Sequence, residues 1–161
     1  MHVHTAADAT EERRNNSMIL IVCVDDGMGM MFNKRRQSKD AKVREDMLAM
    51  VTTNQKLFVT PYTAKQFLPE EQERLCVLGA DVSAWDVLSA EEVFFAEDTD
   101  VTGLETVTEQ VVLYRWNRAY PSDVKFTFDL SGYELIFSED FVGNSHPEMK
   151  KEVYRKHNPT K

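Results

Sequence analysis

Residues 18–24 read MILIVCV, a continuous apolar run that is rich in branched side chains. A short run without polar alternation is typical of a strand that is buried on both faces, as in a parallel sheet. The run stops at Asp25-Asp26-Gly27, whose residue types favour a turn. We therefore expect a central strand here, followed by a loop at its carboxyl end, where α/β folds place ligands.

The next segment has the pattern of a helix. Ser38 is predicted to cap a helix that runs to about Val51, with Asp40 in its first turn, where the helix dipole favours a carboxylate. The apolar residues of this helix recur on one face at helical spacing: Val43, Met47, Met50 and Val51.

Shorter helices and several strands are predicted further along the chain. Thr60-Pro61 has the form of a helix start, and that helix is expected to carry residues 62–67. Asp81 is predicted to cap another helix, and residues 104–110 to form helical turns. The remaining apolar segments are predicted as strands: residues 56–60, 75–78, 93–96, 111–116, 125–128, 133–137 and 151–154.

The order of these segments predicts the fold class. Strands and helices alternate in the first half and strands fill the last third, which favours an α/β three-layer sandwich. Its central sheet is expected to be mostly parallel, with antiparallel C-terminal strands. We expect a single domain over residues 18–157, preceded by a disordered tail at 1–17.

Composition narrows the function classes. The chain has 161 residues and a formal net charge of −8, so it repels phosphate backbones and a nucleic-acid partner is disfavoured. Its two cysteines make no disulfide framework. No apolar run approaches the roughly 20 residues of a membrane helix, and the N-terminus has no secretory apolar region. We expect a cytoplasmic protein without a membrane partner.

The histidines do not form a metal motif. His2 and His4 make an HxH pair, but a two-metal hydrolase site needs HxHxDH and further histidines, and Thr5 follows instead. The other two histidines are His146, interpreted as a surface imidazole, and His157. We expect no metal, and no Ser-His-Asp order stands out in the sequence.

Residues 27–40 (GMGMMFNKRRQSKD) are the most unusual segment, and two interpretations stay open. In one, a loop packs its methionines on the core and leaves its charges in solvent. In the other, the loop is a lid in which Met30 and Phe32 adapt to a ligand while Arg35 and Arg36 bind an anion.

Two further segments have candidate binding residues. Arg115 and Trp116 end a predicted strand, where Trp116 is either a buried core residue or a platform for a planar ligand. The turn that contains Thr63 also follows a predicted parallel strand. We therefore expect it to face the same crevice as the loop after Val24.

Several short strings, in the right order, resemble the dihydrofolate reductase family. Residues 24–30 (VDDGMGM) resemble its opening, and residues 54–67 (NQKLFVTPYTAKQF) resemble its second strand and following helix. Residues 112–126 resemble the late strand that leads into G-D-x-x-F-P, and Tyr133-Glu134 matches its W-E strand. The resemblance implies that fold over residues 18–155. The candidates for the family's carboxylate that contacts the pterin ring are Asp40, Glu45 and Asp46, of which Asp40 is better placed relative to Gly29.

The chain departs from this family where the family binds NADPH. The reductases have a Gly-Gly pair after the fifth strand, and this chain has Ala96-Glu97-Asp98. The family's G-R-x-T turn provides an arginine for the 2′-phosphate, and here only Thr63 of that motif is kept. A Cβ and two carboxylates oppose a pyrophosphate, so we expect no cofactor.

Three hypotheses follow. The first is a degenerate, non-catalytic domain of this fold that binds a small anionic or planar ligand, or a protein partner. The second is an NADPH-dependent reductase of a pterin-like substrate, with Asp40 as proton-relay carboxylate and Thr63 as a phosphate contact. The third is a ribonuclease Z-type nuclease, a label carried by short bacterial chains with similar strings, for which this sequence lacks the histidine cluster.

Overall fold

A computed structural model of the chain describes residues 18–52, 55–78, 92–99, 101–144 and 146–157. The predicted tail at 1–17 and the helix predicted to begin at Asp81 lie outside the described residues.

Ten strands are described. In chain order they are β1 (Met18–Val24), β2 (Gly29–Phe32), β3 (Arg35–Arg36), β4 (Leu57–Val59), β5 (Leu75–Val77), β6 (Val93–Phe95), β7 (Thr108–Arg115), β8 (Val124–Lys125), β9 (Tyr133–Phe141) and β10 (Met149–Lys156). Seven of them form one sheet in the order β5-β4-β6-β1-β7-β10-β9. β1 runs parallel to β6 and β7, and β4 runs parallel to β5 and β6, whereas β10 is antiparallel to β7 and β9. The predicted mostly parallel sheet with antiparallel C-terminal strands is confirmed.

The strand that suggested the fold is buried on both faces. Leu20 and Val22 of β1 join one apolar cluster, and Ile21 between them joins a second cluster on the opposite face of the sheet. β7 alternates in the same way, with Leu113 in the first cluster and Tyr114 in the second. Because both faces are covered, the sequence of β1 has no polar alternation.

The first helix is α1 (Ala41–Ala49), and its cap lies two residues later in the chain than the predicted cap, Ser38. Asp40 is its N-cap and accepts a hydrogen bond from the Lys42 amide at 2.9 Å, so the predicted Ser38 cap is wrong. The helix buries Val43, Met47 and Leu48 against the sheet.

The second helix, α2 (Pro61–Ala64), starts as predicted but is shorter. Thr60 caps it and Pro61 occupies the first turn, yet the helix ends before residue 65. Within the described residues, 3-10 helices follow at Pro69–Arg74, Thr102–Val107 and Leu130–Gly132. None of the described helices has the length and apolarity needed to cross a membrane.

The segment predicted as a methionine-rich loop folds as a hairpin instead. β2 pairs antiparallel with β3 and, on its other edge, with β8, which makes a second, three-stranded sheet. Asn33 and Lys34 form the turn with positive φ values of 53° and 62°. The strand predicted at 125–128 is limited to β8, and beyond it Phe126 and Phe128 pack their rings together in irregular chain.

Candidate functional site

The carboxyl ends of the parallel strands place three loops at one edge of the large sheet. The loop after β1 leads into the hairpin, the loop after β4 is the start of α2, and the loop after β6 carries Glu97. Arg36 on β3 contacts both Tyr62 and Glu97, so the hairpin, α2 and the β6 loop meet. The first loop and the Thr63 turn are therefore neighbours through Glu97, and a crevice shared by the two stays a prediction.

A buried carboxylate lies at this meeting point. Glu97 is 6% exposed, and each of its oxygens accepts two hydrogen bonds. Oε1 accepts from Thr63 Oγ1 at 2.9 Å and from Arg36 Nη2 at 3.2 Å. Oε2 accepts from Arg36 Nε at 2.9 Å and from Gln66 Nε2 at 2.8 Å. Two predicted site residues, Arg36 and Thr63, are therefore both engaged by Glu97.

Tyr62 fixes the other side of Arg36. Its hydroxyl oxygen accepts the Arg36 backbone N–H at 2.8 Å, and its ring lies 4.4 Å from the guanidinium carbon. Arg36 Nη2 also donates to the Tyr62 carbonyl at 3.1 Å. A guanidinium held by a bidentate carboxylate, an aromatic face and a carbonyl is positioned rigidly, because each contact restricts a different direction.

Burial raises the pKa of Glu97 above its ordinary value. The hydrogen bonds and charge of Arg36, and the hydrogen bonds from Thr63 and Gln66, act in the opposite direction without cancelling the effect of burial. The four hydrogen bonds therefore offset only part of the desolvation of this carboxyl group.

Asp40, the predicted catalytic residue, lies in a second buried group. Its side chain is fully buried, and its Oδ1 accepts from the Asn144 amide at 2.7 Å as well as from its own helix. Its Oδ2 lies 3.2 Å from His146 Nδ1. The His146 ring is 4.6 Å from the Trp116 ring, so the structure brings together Asp40 and Trp116, both predicted site residues.

His146 itself was misjudged from the sequence. The prediction of a surface imidazole is wrong, since the residue is 5% exposed and touches Asp40, Ser38 and Trp116. Its partners are up to 108 residues away in the chain, and they come together because the connection between β9 and β10 contacts the N-terminus of α1.

The remaining predicted residues occupy three different environments. Arg115 is paired with Glu152 on the neighbouring strand and approaches the Met28 sulfur at 3.5 Å. Met30 is 4% exposed and packs in the core beneath the hairpin. Phe32 and Arg35 lie at the exposed end of the hairpin, where Phe32 is 46% exposed.

A pocket of about 320 Å³ opens beside that end of the hairpin. It is lined by Phe32, Asn33, Arg35, Arg36, Gln37, Tyr120 and Pro121. Three of the predicted site residues therefore share one wall, and the opposite wall is the turn that follows β7.

Gln37 lines the pocket, and one atom of its side-chain amide lacks a hydrogen-bond partner within the described residues. Its Nε2 donates to Asp25 Oδ2 at 3.2 Å and to the Pro121 carbonyl at 3.3 Å. Because both neighbours are acceptors, the amide orientation is fixed by the network. Its Oε1 is buried and has no hydrogen-bond partner within the described part of the chain. A buried acceptor without a partner is costly and suits a ligand with an N–H or O–H donor.

Asp25 hydrogen-bonds two of the residues that line the pocket, Gln37 and Tyr120, and no sequence motif indicated this role. Its oxygens accept from the amides of Gly29, Gly27 and Tyr120 and from the Gln37 side chain. Burial alone raises the pKa of this carboxyl, but these hydrogen bonds outweigh burial and lower it below the ordinary value.

A solved structure with the same architecture is a dihydrofolate reductase from Enterococcus faecalis, in complex with NADP(H) and RAB-propyl. The match covers 90% of this chain and 99% of that chain, with a TM-score of 0.64 and 12% sequence identity. The chain has a dihydrofolate reductase-like fold. At this identity the likeness establishes the fold and not the activity. No family model and no curated protein matches the chain.

The contacts around Thr63 leave no donor for a phosphate of NADPH. A phosphate requires free donors and a positive local charge. Here the Thr63 hydroxyl, the Gln66 amide and the Arg36 guanidinium all donate to Glu97, and Asp98 accepts from Thr60 at 2.7 Å. Residues with these contacts do not fit a dinucleotide phosphate, because the position is already filled by a carboxylate of the chain.

Proposed function

We propose that this protein is a binding domain of dihydrofolate reductase-like fold that carries out no hydride transfer. The observation that carries the proposal is the Glu97 carboxylate on Thr63, where the resemblance places a cofactor phosphate. A bound phosphate at that position would have to displace Glu97 from four hydrogen bonds and leave two like charges side by side. We therefore propose that the protein uses no cofactor.

The ligand that we propose is a small, planar anion held in the hairpin pocket. Phe32 and Tyr120 provide aromatic faces, on which planar groups stack. Arg35 is exposed and has no ion pair among the described residues, so its guanidinium is available for an anion. Gln37 Oε1 has no hydrogen-bond partner among the described residues, and an N–H or O–H donor on the same ligand would provide one. A side chain of a protein partner with these properties would use the same contacts.

The test uses 4-hydroxybenzoate as the probe, because it combines a ring, a carboxylate and an O–H donor. The matched neutral control is 4-hydroxybenzamide, which keeps the ring and the O–H donor and has no charge. We expect saturable binding of the acid in a calorimetric titration, with the amide about tenfold weaker or more. Equal affinities for the two compounds, or no binding of either, would contradict an anion pocket.

One observation favours the reductase as a second candidate. Asp40 lies at the start of α1 and is buried, as the pterin-binding carboxylate is expected to be. In this chain, however, its oxygens already contact Lys42, Asn144 and His146. Loss of nicotinamide absorbance in the presence of the protein, NADPH and dihydrofolate would support the reductase and contradict our proposal.

The nuclease hypothesis gains no support from the geometry. Within the described residues, no group of three or more His, Cys, Asp or Glu side chains is arranged to hold a metal ion. His2 and His4 lie outside those residues. We also propose that the protein is located in the cytoplasm, as expected from the sequence.

A further inference from the structure

Three side chains near the pocket form a line that the proposed binding function does not use. Ser38 Oγ lies 2.9 Å from His146 Nε2, and His146 Nδ1 lies 3.2 Å from Asp40 Oδ2. A hydroxyl on one ring nitrogen and a carboxylate on the other is the arrangement of a Ser-His-Asp triad, which is recognised by geometry and not by sequence position.

The carboxylate end of this line is fixed in place. Asp40 is the N-cap of α1, so one of its oxygens accepts from the Lys42 and Asn144 amides while the other faces His146. The carboxylate therefore favours the imidazole tautomer with its proton on Nδ1. Nε2 then carries the lone pair that accepts the Ser38 proton. The Trp116 ring, tilted by 40° at 4.6 Å, limits rotation of the imidazole.

The hydroxyl end of the line is next to the pocket. Ser38 is partly exposed, and the preceding residue, Gln37, lines the pocket. Tyr120 lines it too, and its hydroxyl lies 3.5 Å from the same His146 nitrogen. His146 and Asp40 are 6% and 0% exposed in their side chains, so the base is shielded from water while the nucleophile is accessible.

We propose that Ser38, His146 and Asp40 form a nucleophilic triad that cleaves small carboxylic esters. Ser38 Oγ attacks the carbonyl carbon as its proton passes to His146 Nε2. The bond between that carbon and the alcohol oxygen then breaks, and the alcohol leaves with the proton from His146. Water then attacks the acyl carbon as one of its protons passes to His146 Nε2. The bond between that carbon and Ser38 Oγ breaks, and the proton returns from Nε2 to Oγ, which releases the acid and restores Ser38.

A fluorophosphonate tests the nucleophile directly, because it bonds covalently to activated serines and needs no knowledge of the natural ester. The full chain is treated with fluorophosphonate-biotin, and the modified peptide is located by mass spectrometry. We expect one adduct, on Ser38. Ser38→Ala should abolish it. Ser131→Ala, which removes an exposed serine of the 3-10 helix at Leu130–Gly132, should leave it unchanged.

The wild-type protein should also release 4-nitrophenol from 4-nitrophenyl acetate, and Ser38→Ala should not. Asp40→Asn keeps a cap acceptor for α1, and we expect it to slow the labelling rate by up to about 10⁴-fold. His146→Ala should lose labelling, and added imidazole should restore part of it, which a merely structural histidine would not show. Circular dichroism and thermal unfolding verify that each variant is folded.

Two results would overturn the triad: no adduct on folded wild-type protein, or an adduct that persists in Ser38→Ala. Failure of the triad leaves the binding proposal intact, because 4-hydroxybenzoate binding depends on Arg35 and needs no reaction at Ser38. If Asp40→Asn does not fold, the His146→Ala protein with and without imidazole decides the same question.

Discussion

Glu97 accepts a hydrogen bond from Thr63 at 2.9 Å, and the same carboxylate forms a bidentate ion pair with Arg36. The contact joins the loop after β6 to the start of α2 and to the hairpin. The side chains of Arg36 and Glu97 are only 19% and 8% exposed, so the pair lies largely out of solvent. A carboxylate of the chain thus does at this position what the resemblance assigns to a phosphate of the cofactor.

Removing that carboxylate should destabilise the protein. Glu97→Ala leaves the Arg36 charge buried without its partner, and we expect a loss of about 3–5 kcal/mol in the free energy of unfolding. Urea denaturation followed by circular dichroism gives the value. The control is Asp140→Ala, which breaks a pair whose aspartate is 92% exposed and should cost less than about 1 kcal/mol. Equal losses in both variants would contradict a buried cluster.

Because of Asp25, we expect the free energy of unfolding to decrease at acidic pH. Its folded-state pKa is lowered, so its contribution is fully present above the unfolded value of about 3.9 and is lost as the pH falls through the folded value. Between those values the unfolded state binds more protons, and stability therefore rises with pH. We expect Asp25→Asn to unfold with a shallower pH dependence below about pH 4 than the wild type. Identical slopes in acid denaturation would show that Asp25 is not held as described.

Gly29 should tolerate no side chain. A Cβ there would lie 2.3 Å from the Ser122 Cβ, so β2 or the turn at Ser122 must move. We expect Gly29→Ala to cost about 1–3 kcal/mol in the free energy of unfolding. At Gly132 an added Cβ meets no atom within 4 Å, so Gly132→Ala is the matched control and should leave stability nearly unchanged. A Gly29→Ala protein as stable as this control would contradict the packing at the hairpin.

Arg35 should decide the affinity of the pocket for anions. A charged hydrogen bond is worth about 1.5–3 kcal/mol, so Arg35→Gln should weaken 4-hydroxybenzoate by roughly ten- to a hundredfold. Lys34→Gln removes the same charge one residue away, in the hairpin turn outside the pocket lining, and should change the affinity little. Calorimetric titration of both variants gives the comparison. Equal loss of affinity in both variants would contradict a direct contact between Arg35 and the ligand, because both substitutions remove the same positive charge from the hairpin.

The sequence predicted the sheet well because its signals are local. Residues 18–24 are apolar throughout since β1 is covered on both faces, and the Thr60-Pro61 pair does start α2. The hairpin was missed because its turn uses Asn33 and Lys34 at positive φ, without the glycine that usually marks such a turn.

The site was predictable only in part. Arg36 and Thr63 could be proposed from the ends of strands, but their partner Glu97 was interpreted as a source of repulsion and not as an acceptor for both. The sequence places Ser38 at a helix cap and His146 at the surface, because it does not show that two residues 108 positions apart lie in contact. Contacts of that separation depend on the tertiary fold.

The most direct test of the account is a calorimetric titration of the wild-type protein with NADPH. With Glu97 on Thr63, we expect no saturable binding at millimolar nucleotide, under conditions in which a dihydrofolate reductase used as the control binds tightly. A micromolar dissociation constant for this protein would contradict the account, because the nucleotide phosphate would then have taken the donors that Glu97 holds.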